Sequence, residues 1–118
     1  MKQIEVPGSA PALGPYSKGM IAGNFVFTSG QIGVAAGNDI TAQADAACQA
    51  VGAVLAAGGA GFENVVKTTC FLADINDFAA FNEVYANYFV SKPARSCFAV
   101  KDLPAGPLCE IEVIAIKE

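Results

Sequence analysis

Val65-Val66-Lys67-Thr68-Thr69-Cys70-Phe71-Leu72 is the stretch on which the fold turns. It is short, β-branched and aromatic, and bounded by Glu63-Asn64 and Ala73-Asp74, so it reads as a largely buried strand. A helical pattern lies on either side of it. From Thr41 to about Gly58, the apolar positions Ala44, Ala47, Cys48, Val51, Val54 and Leu55 recur at spacings of three and four, with Thr41 as N-cap and Gly58-Gly59 as the stop. From Asp77 to about Phe89, the residues Phe78, Phe81, Tyr85, Tyr88 and Phe89 form an aromatic stripe at helical spacing, which is a core-facing pattern.

Working outward, two more strands are expected at Arg95 to Lys101 and Leu108 to Lys117, joined by Asp102-Leu103-Pro104-Ala105-Gly106-Pro107, whose prolines forbid a ladder. Toward the N-terminus, Tyr16 to Ile21 and Phe25 to Ser29 flank the hairpin turn Ala22-Gly23-Asn24. Pro7, Pro11 and Pro15, with Gly8 and Gly14, keep residues 7 to 15 out of regular structure and deliver Tyr16 on a fixed loop. The expected order is β-β-α-β-α-β-β, an α/β (α+β) arrangement in which a mixed sheet carries two helices on one face, with residues 1–118 as a single domain. Two helices cannot cover both faces of such a sheet, and the other face is also apolar. A partner subunit is expected to cover it, making the protein a homo-oligomer.

Composition narrows the function. The 118 residues are 53% hydrophobic and 15% charged, enough for one well-filled core, and the formal charge is −4. The seven cations are scattered along the chain, so no phosphate-tracking surface is expected and nucleic acid is not the expected partner. Histidine is absent, and Cys48, Cys70, Cys97 and Cys109 match no zinc-ligand or C-x-x-C spacing, which argues against a histidine base and against a metal site. The nucleotide, dinucleotide and hydrolase-elbow glycine motifs are missing as well, so no cofactor is expected. Met1-Lys2-Gln3-Ile4-Glu5 lacks the basic-then-apolar pattern of a secretory signal, and the uncharged run Ala46 to Phe62 is too polar and short to span a bilayer. These features predict a soluble, cytoplasmic protein with reduced thiols and no membrane partner.

Few residues are left to carry chemistry. Arg95, the only arginine, opens an apolar strand after Pro93-Ala94; its planar fork suits a bidentate carboxylate, whereas the ordinary structural reading is a rim ion pair. Glu110 and Glu112 alternate with Cys109, Ile111 and Val113, so each is either a structural partner of a lysine or arginine or a carboxylate in a wet pocket that can take a proton from water. Cys97 shares a side with Arg95 and is either a packed thiol or a nucleophile. Tyr16 offers a hydroxyl at the end of a rigid loop. Ser29 and Gly30 offer a hydroxyl and backbone N–H groups at a strand end, and Gly30 permits either a close backbone approach or a positive φ that a residue with a Cβ would resist.

Taken together, Gly14-Pro15-Tyr16-Ser17, Thr28-Ser29-Gly30-Gln31-Ile32, Val65-Val66-Lys67-Thr68-Thr69, Pro93-Ala94-Arg95-Ser96-Cys97 and Glu110-Ile111-Glu112-Val113-Ile114-Ala115 resemble the RidA family, also known as the YjgF family. The resemblance covers nearly the whole chain. It implies a chorismate-mutase-like fold, a homotrimer with a ligand cleft at each subunit interface, and 2-iminobutanoate/2-iminopropanoate deaminase activity on small imino acids, giving 2-oxo acids. It further implies that Arg95 binds the substrate carboxylate, Glu110 holds the attacking water, Cys97 contributes a main-chain contact, and Tyr16, Ser29 and Gly30 line the pocket. The connection Phe89-Val90-Ser91-Lys92 is shorter than is usual in the family. Two other classes fit the same residues: a non-enzymatic trimer that binds 2-oxo acids in a regulatory role, and a holdase or RNA-cleaving translation inhibitor, the latter disfavoured by the acidic charge.

Overall fold

The computed structural model describes residues 1–118. Its elements run β1 (Lys2–Ile4), β2 (Gly19–Ala22), β3 (Phe25–Thr28), α1 (Ile40–Ala57), β4 (Val65–Leu72), α2 (Phe78–Tyr88), β5 (Ala94–Ala99) and β6 (Cys109–Ile116). All six strands form one sheet in the order β1-β2-β3-β6-β4-β5. Strands β4 and β5, separated in the chain by α2, pair in parallel, and the remaining neighbours are antiparallel, so the sheet is mixed. The α+β order expected from sequence is present, with one strand added at the N-terminus.

That added strand, β1, pairs with β2 from Lys2 opposite Ile21 to Ile4 opposite Gly19. Three residues are too few to show an alternation, so the sequence carries no signal for it. The next strand starts at Gly19 and not at Tyr16, which belongs to the loop. Helix α1 is capped by Asp39 and not Thr41: the Asp39 carboxylate accepts the Ala42 N–H at 3.0 Å, leaving Thr41 inside the first turn. Gly58 ends the helix as expected, and β4 has the expected boundaries.

Strand parity sorts the sheet into two faces. On one face Val26, Val65, Cys70, Leu72, Cys109, Ile111, Val113 and Ala115 join Val51, Leu55 and Phe81 of the helices in a single buried core. Helix α1 is long and apolar enough to cross a membrane, but its Ala44, Ala47, Cys48, Val51 and Leu55 face is spent in this core. The two helices are also tied to each other by the Tyr88 hydroxyl, which donates to Asp45 at 2.5 Å. The opposite face carries no helix. There Phe27 stands beside Ile114 and Phe25 beside Ile116, while Phe71 packs edge-on against Phe98 at 5.4 Å. Phe25, Phe27 and Phe98 remain 44%, 38% and 44% exposed, an aromatic surface that solvent does not favour.

Candidate active site

The irregular run between β3 and α1 builds one wall of a cleft. Where β3 ends, the Ser29 hydroxyl donates to the Ser17 carbonyl at 2.6 Å and the Ser29 N–H to the Lys18 carbonyl at 2.8 Å, tying the Tyr16 loop to the strand. Gln31 then exchanges backbone hydrogen bonds with Ile111 of β6 at 2.8 and 3.0 Å. Between these two anchors lies Gly30, where a Cβ would overlap the Glu110 Oε2, so only glycine lets that carboxylate lie against the backbone. The cleft, about 920 Å³, is lined by Tyr16, Lys18, Ser29, Gly30 and Glu110, and by the outer alanines Ala46, Ala50 and Ala53 of α1.

Glu110 is half-buried there, and burial, followed by the neighbouring Glu112 charge, pushes its carboxyl above the ordinary glutamate value. Glu112 is exposed on the same face of β6. Of the sequence candidates, Tyr16, Ser29, Gly30 and Glu110 are therefore brought together.

Arg95 and Cys97 are elsewhere. Arg95 pairs in register with Thr68, and Cys97 with Cys70, which puts both on the helix side of β5, at the sheet edge. Glu110 pairs with Phe71 on the helix-free side. Three residues along the strand and two strand spacings separate Arg95 from Glu110, roughly 14 Å between Cα atoms on opposite faces. One chain does not place the cation and the carboxylate around one small molecule.

The guanidinium is held by neutral groups. Arg95 Nη1 donates to Asn82 Oδ1 at 2.8 Å, and its Cζ lies 4.6 Å from the Tyr85 ring centre and 5.5 Å from that of Phe78. The rim ion pair that composition allowed does not form, and the guanidinium has no anionic partner within the chain. Burial raises the Cys97 thiol above its ordinary value, outweighing the lowering by Arg95, so the thiol stays neutral near pH 7 and is a poor nucleophile.

Two supporting residues went unread in the sequence. Gln43 is 1% exposed; its amide donates to the Gly37 carbonyl at 2.5 Å and its Oε1 accepts the Leu108 N–H at 2.8 Å, joining the cleft wall to the start of β6. Its signal was a polar residue on the apolar stripe of α1. Asn82 sits three positions before Tyr85, on the same helix face, with no apolar periodicity to mark it.

A mixed α+β sheet with two helices on one face, a cleft in which a carboxylate lies against a glycine, and an arginine without an anionic partner at the sheet edge define the class: a small α+β protein with a cleft at the end of β3. Comparison with known proteins makes the class specific. The family described as endoribonuclease L-PSP matches residues 7–117. The human 2-iminobutanoate/2-iminopropanoate deaminase is 42% identical over 125 residues, covering 99% of this chain and 91% of the human protein. The structure of Escherichia coli TdcF with bound serine superposes with a TM-score of 0.91 at 39% identity, covering 100% of both chains. RidA from the Antarctic bacterium Psychrobacter superposes at 0.92 with 33% identity, covering 98% of this chain and 99% of that one. The chain belongs to the RidA family, the endoribonuclease L-PSP family.

Proposed function

We propose that this protein hydrolyses small 2-imino acids, 2-iminobutanoate and 2-iminopropanoate, to 2-oxo acids and ammonia. It does so without a cofactor, as a cytoplasmic homotrimer. The observation that carries the reading is the pair of unspent groups: a carboxylate raised in affinity for protons inside a cleft, and an arginine with no anionic partner. The human relative's name supplies the reaction class. Unpaired Cys48, Cys70, Cys97 and Cys109 suit a reducing compartment.

Arg95 and Glu110 lie on opposite faces of one sheet, so each active site takes Arg95 and the Cys97 backbone from one subunit and Tyr16, Ser29, Gly30 and Glu110 from the next. The exposed Phe25, Phe27 and Phe98 are covered in the same assembly. Arg95 grips the substrate carboxylate in two-point fashion. Glu110 accepts a proton from a water as the water oxygen bonds to the iminium carbon and the C=N π pair moves to nitrogen. The protonated Glu110 then returns that proton to the amino group, the C–N bond breaks, and ammonia leaves. The Glu110 carboxylate, ionised again, takes the hydroxyl proton as the C=O bond of the 2-oxo acid forms, and passes it to the departing ammonia, which leaves as ammonium. A raised carboxyl value brings this base closer to the working pH. An iminium is electrophilic unaided, and a thousandfold gain over the spontaneous reaction needs only about 4 kcal/mol.

The test generates the two imines in situ with an amino-acid oxidase and traps what remains with semicarbazide. The protein should suppress trapping in proportion to its concentration. Unchanged trapping alongside clear 2-oxobutanoate binding would instead favour a binding protein, a reading to which the serine bound in TdcF lends weight.

A further inference from the structure

Arg95 stands on an edge strand, where a long side chain ordinarily samples many rotamers, yet its guanidinium is fixed from two directions by helix α2. Asn82 Oδ1 takes one Nη1 hydrogen at 2.8 Å, and the Tyr85 ring lies beneath the guanidinium at 4.6 Å. Tyr85 is itself locked. Its hydroxyl is 2.8 Å from Thr68 Oγ1, a fully buried group on the strand position paired with Arg95, and its ring stacks on Phe89 at 4.3 Å. The chain of contacts Thr68–Tyr85–Arg95–Asn82 therefore closes on itself across β4, β5 and α2.

The chemistry of the holders matters as much as their positions. An amide oxygen and two aromatic rings orient a guanidinium through its hydrogens and its face without neutralising it. A carboxylate at residue 82 would make the same hydrogen bond more strongly and occupy the charge. Taking the imino acid reading of Arg95 as the premise, we propose that Asn82 and Tyr85 are positioning residues that fix the plane of Arg95 with neutral groups so that its charge remains available to the substrate carboxylate.

The proposal orders the variants in a way that a packing role does not. Asn82→Asp is isosteric and would be the mildest change if residue 82 only filled space. Here it should be the worst, weakening 2-oxobutanoate binding and raising KM for the imine by about tenfold or more, because the substrate must displace a charged rival. Asn82→Ala should cost less, a few-fold in KM. In both, kcat should stay within about twofold, since the carboxylate contact is the same in ground and transition states. Tyr85→Phe should recover most of what Tyr85→Leu loses, because the ring supplies the face.

Arg95 is the only arginine, so a sample labelled with 15N-arginine gives a single side-chain system to follow by NMR. Restricted rotation should separate its Nη–H signals in the wild type and in Asn82→Asp, and they should merge in Asn82→Ala. Wild-type 2-oxobutanoate affinity in Asn82→Asp, with the introduced carboxylate seen by NMR to pair with Arg95, would overturn the proposal, as would merged signals in the wild type. Should the wild type neither turn over imine nor bind 2-oxobutanoate, the imino acid reading would fall, while signals separate in the wild type and merged in Asn82→Ala would still uphold the clamp.

Discussion

If Arg95 and Glu110 of one site come from different subunits, two inactive variants should restore each other. Arg95→Ala removes a charge-assisted contact in a partly desolvated cleft, a loss on the order of 2–4 kcal/mol or roughly 30-fold to 1000-fold in kcat/KM, and Glu110→Gln removes the base. Each homotrimer should therefore retain at most about 3% of activity. In a trimer assembled at random from equal amounts of the two, a site is intact when the subunit giving the arginine carries Glu110→Gln and the subunit giving the glutamate carries Arg95→Ala. Every mixed trimer, two-to-one in either sense, has one such site of its three, so doubly tagged trimers should reach roughly a third of wild-type kcat/KM, many times either parent. The assay is imine hydrolysis on co-expressed, doubly tagged trimers, with each parent confirmed as folded and assembled. A mixture no more active than the mean of its parents would mean that one subunit supplies both groups. The sheet registers that put Arg95 and Glu110 on opposite faces would then have been misapplied to the site.

Other outcomes follow from the same geometry. Glu110→Gln should abolish turnover while 2-oxobutanoate binding, measured by calorimetry, largely survives; Glu112→Gln should be nearly silent, and a reversal of the two would exchange their roles. Arg95→Lys keeps a charge but not the fork, so its kcat/KM should stay close to that of Arg95→Ala. Glu110 also predicts a stability effect: its carboxyl is raised in the folded chain, so folding takes up a proton between the ordinary glutamate value and the raised one, and stability falls as pH rises through that window. Glu110→Gln should therefore melt higher than wild type at neutral pH, with the advantage gone at pH below the ordinary glutamate range.

Much of this was legible in the residues alone. The β4 sequence marks its own ends because Glu63-Asn64 and Ala73-Asp74 cannot continue a buried β-branched run, and the Gly58-Gly59 stop is equally plain. The expected hairpin around Gly23 is present, and that glycine has the positive φ of 59° that the turn needs. What failed to show were features that depend on a partner distant in sequence. Strand β1 exists only because β2 offers an edge, and Asn82 is informative only once Arg95 is placed over α2. Gln43 was legible as an anomaly on an apolar stripe, but not as a bridge to Leu108.

The site itself illustrates the limit. Alternation along β5 correctly puts Arg95 with Cys97, and alternation along β6 correctly puts Glu110 with Glu112, but alternation within a strand carries no phase relative to another strand. The phase is set by register: Thr68 opposite both Arg95 and Val113, and Phe71 opposite Glu110. Once it is fixed, the cation belongs to an edge strand on the helix side and the Glu110 carboxylate to a cleft beyond β3 on the other. If both patches serve one site, as proposed, a head-to-tail ring brings the Arg95 edge of each subunit to the cleft of the next at a separate interface, whereas a two-fold dimer, in which i meets j and j meets i, would have to bring both faces of the sheet into a single interface. The trimer that the resemblance implied is therefore the assembly that this register favours for the proposed shared site, and the exposed Phe25, Phe27 and Phe98 are the apolar surface that such an assembly would cover.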